Sequence, residues 1–279
     1  VYYQFRSNKI MTRFINKILS KIPFGVSDFY LENTKDYFVL PPHISRNSEL
    51  AESYKLGQDV FNWISIHVPL KLDSNVLDVG CGDGRVAAAF ARKNNKFKGT
   101  YDGFDIHKTR VESLNKLMKN KKNFNFKYVD IQHSYYNPNG KEISHKFMFP
   151  YDDKSFDLLF LNSIFSHFNF KTIRHYLTEI KRCLKEDGKV WITCYNIDGK
   201  YDRNNKALSK RRFFDTVYEE GFTSQPEKPE GSVGYTEEKW FEAISDAHLK
   251  IEKYIPGYWK INRQSLDQHE QDIFVLKHA

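Results

Sequence analysis

The stretch Asn75-Val-Leu-Asp-Val-Gly-Cys-Gly-Asp-Gly-Arg85 constrains the fold more than any other part of the 279-residue chain. Val76, Leu77 and Val79 form a short apolar run, with polar Asp73-Ser74-Asn75 before it and glycines after it. Such a run reads as a buried parallel strand that ends in a tight loop. Gly80, Gly82 and Gly84 follow at alternate positions, and the alanine-rich run from Val86 to Ala91 has good helix propensity. A strand, a glycine loop and a helix in this order bring bare backbone N–H groups up to a ligand, because glycine has no Cβ to hold the ligand away.

A dinucleotide-binding loop requires G-x-G-x-x-G, whose third glycine lets helix pack on strand. Here the spacing is G-x-G-x-G, and Arg85 stands where that third glycine belongs. Asp78, two residues before the first glycine, suits a cationic ligand bearing an amino acid better than it suits a pyrophosphate. Tyr101 to Ile106 reads as the second strand. Its terminal acid, Asp105, falls about twenty residues beyond Gly84. That spacing sets a carboxylate at the strand's C-terminal end, able to accept both hydroxyls of a ribose.

The rest of the chain keeps the same rhythm. Phe124 to Val129 reads as the third strand. Phe156 to Leu161 reads as a fourth, central one ending in Asn162-Ser163, and Val190 to Tyr195 as the fifth. Helices are expected from Ser48, as N-cap, to about His67, over Thr109 to Met118, over Thr172 to Leu184 with Asp187-Gly188 as its stop, and from Thr236 onward. Leu249 to Ile255 and Asp272 to Lys277 are expected to pair antiparallel. Strands alternating with helices in this way predict a parallel sheet covered on both faces.

Two segments stand apart. Residues 199–235 lose periodicity and are rich in charge, glycine and proline, which reads as an insertion or lid. Residues 1–27 contain no acid, and within them residues 9–22 alternate apolar and basic positions at helical spacing. Such a helix lies on an anionic membrane surface, serves as a targeting segment, or packs on the domain's own surface. The expected organisation is an N-terminal extension over 1–39 and one catalytic domain over 40–279.

The formal net charge of +8 invites a nucleic-acid partner. Lysine, however, far outnumbers arginine, and Asn, Ile, Phe and Tyr are all plentiful, as an AT-rich coding sequence produces. No aromatic-basic recognition motif accompanies the charge, so no nucleic-acid partner is expected. Cys81, Cys183 and Cys194 have no metal-ligand spacing, which argues for a reducing, cytoplasmic setting and against structural zinc. No metal site is expected. No apolar run approaches the roughly 18 residues of a membrane span.

The motif Asp78 to Arg85 resembles motif I of the class I S-adenosylmethionine (SAM) dependent methyltransferases. The likeness extends in order through Leu40-Pro41-Pro42, Gly103-Phe104-Asp105-Ile106, Tyr136-Asn137-Pro138-Asn139-Gly140, Phe149-Pro150-Tyr151, Ser163-Ile164-Phe165-Ser166-His167, Tyr176-Leu177-Thr178-Glu179-Ile180 and Gln271-Asp272. Together these resemble a subgroup associated with polysaccharide and surface-glycan O-methylation. Ser166, where a threonine is expected, and Glu186-Asp187-Gly188, in place of Pro-Gly-Gly, are departures remote from the cofactor motifs.

The resemblance implies a Rossmann-like α/β fold of seven strands with an antiparallel C-terminal hairpin, and SAM as cofactor. It implies that Asp78 and the amides of Gly80 and Gly82 hold the methionine end, Asp105 the ribose, and Asp130 with Ile131 the adenine. Cys81, Gly84, Arg85, Ile106 and Asn162 complete the cofactor set. The expected acceptor is a sugar or glycan hydroxyl, free or lipid-linked, with Ser163 and Tyr195 orienting it. His167 stands just past the central strand, at the end of the sheet where open α/β folds place ligands. Its imidazole is suited to take the hydroxyl proton near neutral pH. Two alternatives remain: an RNA or other nucleic-acid methyltransferase, which would bind its substrate with a steep salt dependence, and a non-catalytic SAM-binding module.

Overall fold

The computed structural model describes residues 48–91, 96–199, 201, 213–260 and 269–279. The N-terminal amphipathic segment, Leu40-Pro41-Pro42 and part of the 199–235 insertion lie outside the described residues.

A helix α1 (Ser48–His67) leads into β1 (Val76–Val79), α2 (Arg85–Phe90), β2 (Tyr101–Asp105), α3 (Lys108–Met118) and β3 (Phe124–Tyr128). Two short strands, β4 (Ile131–Gln132) and β5 (Glu142–Ile143), pair with each other. Then come β6 (Phe156–Leu161), α4 (Phe170–Cys183), β7 (Leu184–Cys194) and β8 (Asn196–Ile197). The chain closes with β9 (Thr216–Tyr218), β10 (Gly221–Thr223), β11 (Val233–Thr236), α5 (Glu237–Asp246), β12 (Leu249–Ile255) and β13 (Asp272–His278).

Seven strands form one sheet in the order β12-β13-β7-β6-β1-β2-β3. Pairings among β3, β2, β1, β6 and β7 are parallel, while β13 runs antiparallel to both β7 and β12. The expected seven-stranded, mostly parallel fold with its antiparallel C-terminal pair is therefore present. The period-2 pleat explains why it is a three-layer structure. Leu77, Val79, Leu159, Leu161 and Ile192 pack with α4 and α5, through residues such as Ile173, Leu177, Trp240 and Ile244. Their neighbours Val76, Leu158, Phe160 and Trp191 pack on the opposite face with α1, α2 and α3, through Phe61, Ile64, Ala87 and Leu114. Both helices on the first face begin with side-chain caps: Asn169 accepts the Thr172 N–H, and Thr236 accepts the Lys239 N–H.

One expectation is corrected. Asp187-Gly188 does not stop α4. The helix ends at Cys183, and the chain passes directly into β7. Register against β6 jumps between Phe156↔Leu184 and Leu158↔Lys189, so Glu186-Asp187-Gly188 forms an irregularity inside the strand. The region around 213–236, which shows no periodicity, supplies β9, β10 and β11 to a second sheet of order β8-β11-β10-β9. Its strands are two to four residues long, too short for a period to emerge.

Asp272 ties this small sheet to the large one. It is fully buried and accepts hydrogen bonds from the Asn196 N–H (2.9 Å), the Gly257 N–H (3.0 Å), Trp259 Nε1 (2.6 Å) and the Tyr254 hydroxyl (3.1 Å). Lys260 sits 3.3 Å from the same carboxylate and 2.6 Å from Asp198.

Candidate active site

The loops after β1, β2, β4 and β6 surround a cavity of about 400 Å³ at the C-terminal edge of the sheet. The loop after β1 is folded by its glycines. Gly80, Gly82 and Gly84 all have positive φ (79°, 53° and 78°), a region that side-chain-bearing residues rarely adopt. A Cβ on Gly80 would fall 2.1 Å from Ile164 Cδ1, so this glycine lets the β1 loop close on the β6 loop. Gly80→Ala should therefore cost about 1–3 kcal/mol in unfolding free energy. An unchanged urea midpoint would contradict that packing argument.

Gly82 differs: nothing lies within 4 Å of where its Cβ would be, so its bare backbone faces open space. Its N–H donates to Asp105 Oδ2 (2.8 Å), and Asp105 Oδ1 accepts the His107 N–H (2.8 Å). Asp105 thus joins the β1 and β2 loops across the cavity wall.

Of the residues expected at the cofactor, Gly80, Cys81, Gly82, Arg85, Asp105, Ile106, Ile131 and Asn162 line this cavity. Asp78, Gly84 and Asp130 are not on its wall. Asp78 lies between Leu77 and Val79, so the pleat turns it to the face covered by α1, α2 and α3. There its Oδ2 accepts the Tyr101 hydroxyl at 2.6 Å. Gly84 caps α2 under Leu114, whose Cδ1 lies 2.3 Å from the position of a Cβ. Asp130 accepts from the Tyr128 hydroxyl (2.8 Å) and Asn137 Nδ2 (3.2 Å), bracing the turn beside the cavity.

Burial pushes the Asp78 carboxyl up to about 7, with Asp105 also raising it and the Tyr101 hydroxyl and Arg85 lowering it. The folded protein therefore keeps a proton that the unfolded chain releases near pH 4. The stability that this proton contributes is complete below that pH and is lost as pH rises through 7. The slope contributed by Asp78 is at most about 1.4 kcal/mol per pH unit. Asp78→Asn should flatten it, as read from urea unfolding between pH 5 and 8, and an unaltered slope would disprove the assignment. Burial likewise raises the Cys81 thiol well above its ordinary range, which keeps it protonated and unreactive.

A second cavity of about 320 Å³ adjoins the first. Its walls come from α1 (Asp59, Trp63), from Tyr195, from Gly231-Ser232 and from His269-Glu270-Gln271. The two cavities share four residues: Arg85, Asn162, Ser163 and His167. Tyr195 borders only the second. Asn162 Oδ1 is buried with no hydrogen-bond partner among the described residues, the kind of atom a ligand satisfies.

Ser163 holds the junction in a strained shape, at φ 60°. A closed ring of hydrogen bonds fixes it. The Ser163 N–H donates to Thr193 Oγ1 (2.7 Å), Thr193 to Gln271 Oε1 (2.6 Å), Gln271 Nε2 to Ser166 Oγ (3.2 Å), and Ser166 back to the Ser163 carbonyl (3.2 Å). Each hydroxyl donates once and accepts once, so the ring is satisfied as a unit. It presents the following 3₁₀ turn, Phe165–His167, to both cavities.

His107, Arg110, His133, Tyr136, Phe168 and Tyr176 at the first cavity, and Asp59, Trp63, Tyr258, His269 and Glu270 at the second, are site residues that the sequence does not single out. Tyr136 at least sits in a turn motif that the family resemblance includes. Tyr176 likewise opens a helix motif in that resemblance, and no local pattern marks the others.

The bare Gly82 backbone, the cavity-lining carboxylate of Asp105 and the unpartnered Asn162 Oδ1 fit a nucleoside that carries an amino acid. Comparison with known proteins agrees. Residues 77–192 match the family model described as a methyltransferase domain. The structure is similar to geranyl diphosphate C-methyltransferase from Streptomyces coelicolor A3(2) (14% identity, 97% of each chain covered, TM-score 0.54). It is also similar to a SAM-dependent methyltransferase from Clostridium acetobutylicum (14% identity, 85% of this chain and 97% of that one, TM-score 0.51). A third similar structure is a SAM-dependent methyltransferase from Methanosarcina mazei (16% identity, 75% of this chain and 94% of that one, TM-score 0.50). At such identities the likeness speaks for the fold, while the family match and the glycine loop speak for the cofactor. By its strand order the chain has the Rossmann-like methyltransferase fold, and residues 77–192, which include the glycine loop, match the methyltransferase-domain family, with S-adenosylmethionine as its cofactor.

Proposed function

We propose that the enzyme moves the methyl group of SAM to a hydroxyl of a sugar or glycan, free or lipid-linked, with the cofactor in the first cavity and the acceptor in the second. The observation that carries this reading is His167, which borders both cavities at their junction. SAM supplies a methyl group on a positively charged sulfur, which an acceptor oxygen displaces in line. The protein's part is to align the reacting atoms and to remove a proton from a poor nucleophile.

In this reading Asp105 accepts the ribose hydroxyls, each of its oxygens already holding one backbone N–H and retaining capacity for another donor. Gly80 and Gly82 lie along the methionine end, and Ile131 lies against the adenine. Asn162, at the junction, meets the amino-acid end of the cofactor, and Ser163 and Tyr195 orient the acceptor. Asp78 and Asp130 act one layer back, Asp78 under the glycine loop and Asp130 in the turn that carries Ile131.

His167 Nδ1 lies 3.1 Å from the Glu230 carbonyl, which can only accept, so this nitrogen carries the proton. In this tautomer the lone pair is on Nε2, which in this reading takes the acceptor's proton.

Isotopically labelled SAM offered against a panel of neutral glycans and RNAs, with products read by mass spectrometry, tests the reading. A glycan carrying the labelled methyl on oxygen is the expected product. Label appearing only in RNA, or on carbon or nitrogen, would replace it.

A further inference from the structure

We infer that the turn over residues 223–232 is a positioning device for His167, one that selects the imidazole tautomer able to act as a base. The inference rests on the base role proposed above, and it concerns how that role is enforced.

The turn belongs to the small sheet, not to the seven-stranded one that carries His167. It is braced from within. Thr223 is buried, and its hydroxyl lies 2.9 Å from the Pro229 carbonyl and 3.0 Å from the Ser232 carbonyl while accepting the Gln225 N–H (3.0 Å). The Lys228 N–H donates to the Gln225 carbonyl (2.9 Å), and the Gly231 N–H to the Lys228 carbonyl (2.7 Å). These bonds leave the Glu230 carbonyl in a fixed direction, toward His167 Nδ1.

The turn is also held from outside. The Ser134 hydroxyl donates to the Glu230 carboxylate, and Lys228 Nζ stands 4.9 Å above the Tyr135 ring. Ser134 and Tyr135 belong to the turn after β4, which grips the other side of the same 3₁₀ turn. There His133 Nδ1 accepts the Tyr135 and Tyr136 N–H groups (3.1 and 3.2 Å), so its proton is on Nε2, which donates to the His167 carbonyl at 2.9 Å. Tyr136 packs its ring edge-on to the His167 ring at 5.3 Å. From β11, the Tyr235 hydroxyl donates to the Phe168 carbonyl, one residue further on.

His167 is thus held by its backbone from one turn and by its ring from another, and Ser134–Glu230 joins the two turns. A free imidazole prefers its proton on Nε2, which would point a donor rather than a lone pair at the acceptor. The Glu230 carbonyl reverses that preference. Gly231 and Ser232, next along the same turn, line the second cavity, so the segment that orients the base also walls the acceptor.

The test reads the tautomer directly, without an acceptor. Long-range proton–nitrogen correlation spectra of ¹⁵N-histidine-labelled protein, loaded with S-adenosylhomocysteine, distinguish protonated from bare ring nitrogens. The His167 signals are assigned from their loss in His167→Gln. The wild type should show His167 protonated on Nδ1. Ser134→Ala and Glu230→Gln loosen the turn from outside, and Thr223→Val removes its internal brace. Each should move His167 toward the Nε2-protonated form, and Thr223→Ser should restore it. Turnover should fall about ten-fold in step with the tautomer, a fraction of what a general base contributes, with SAM affinity unchanged.

A wild-type spectrum showing His167 protonated on Nε2 would overturn the inference. So would variants that keep the Nδ1-protonated pattern while losing turnover. Full activity in His167→Ala would instead remove the base role while leaving the tautomer result in place, so the two failures are distinguishable.

Discussion

Asp105→Ala should weaken SAM binding by about ten- to a hundred-fold, the equivalent of roughly 1.5–3 kcal/mol for hydrogen bonds to a charged group. Two losses combine. Under the proposed function the ribose loses its carboxylate, and the cavity wall loses the link that ties the Gly82 N–H (2.8 Å) to the His107 N–H (2.8 Å). Asp105→Asn separates them, because its amide oxygen can still accept one N–H while its NH2 group opposes the other. It should fall between wild type and alanine. Titration calorimetry with S-adenosylhomocysteine reads the affinity, and thermal unfolding without ligand reads the loop. An alanine variant that binds as tightly as wild type would take Asp105 out of the cofactor site. One that loses stability but not affinity would make it a loop brace alone.

Asp105 was legible in the sequence because everything that defines it is local. The strand, the three glycines and the next strand follow one another along the chain, and the positive φ angles of the loop restrict the residue type directly. Asp78 shows where that legibility stops. Its place beside the glycines is plain, but β1 is buried on both faces, and an apolar pattern on both sides does not tell which face holds the ligand. Only the packing of α1, α2 and α3 decides it, and that packing puts Asp78 against Tyr101. Asp187-Gly188 misled for the opposite reason. The dipeptide is a turn signal, and here the turn chemistry serves a strand irregularity. The second cavity is further still from the local pattern. Trp63, Tyr195, Ser232 and Glu270 come from α1, the end of β7, the turn before β11 and the segment before β13, and only the packed fold brings them together. Likewise His133 and Glu230 reach His167 from turns on two different sheets.

His167→Ala should lower the rate of methyl transfer by about 10²- to 10⁴-fold, the range for removal of a general base. SAM affinity should change by less than about three-fold, since an interaction used only in the transition state leaves ground-state binding alone. Alanine keeps the backbone carbonyl that His133 holds at 2.9 Å, so the 3₁₀ turn keeps its anchor. It also leaves the ring of bonds through Ser163, Thr193, Gln271 and Ser166 untouched. What disappears is the imidazole at the junction of the two cavities, together with its bond to the Glu230 carbonyl (3.1 Å). Single-turnover transfer from labelled SAM, run beside calorimetry, separates rate from affinity. The variant should regain part of its rate as pH rises, because a more basic solvent replaces the missing proton acceptor. Near-normal transfer in the alanine variant would show that the acceptor loses its proton to some other group. A parallel fall in rate and cofactor affinity would show that His167 shapes the first cavity and takes no proton.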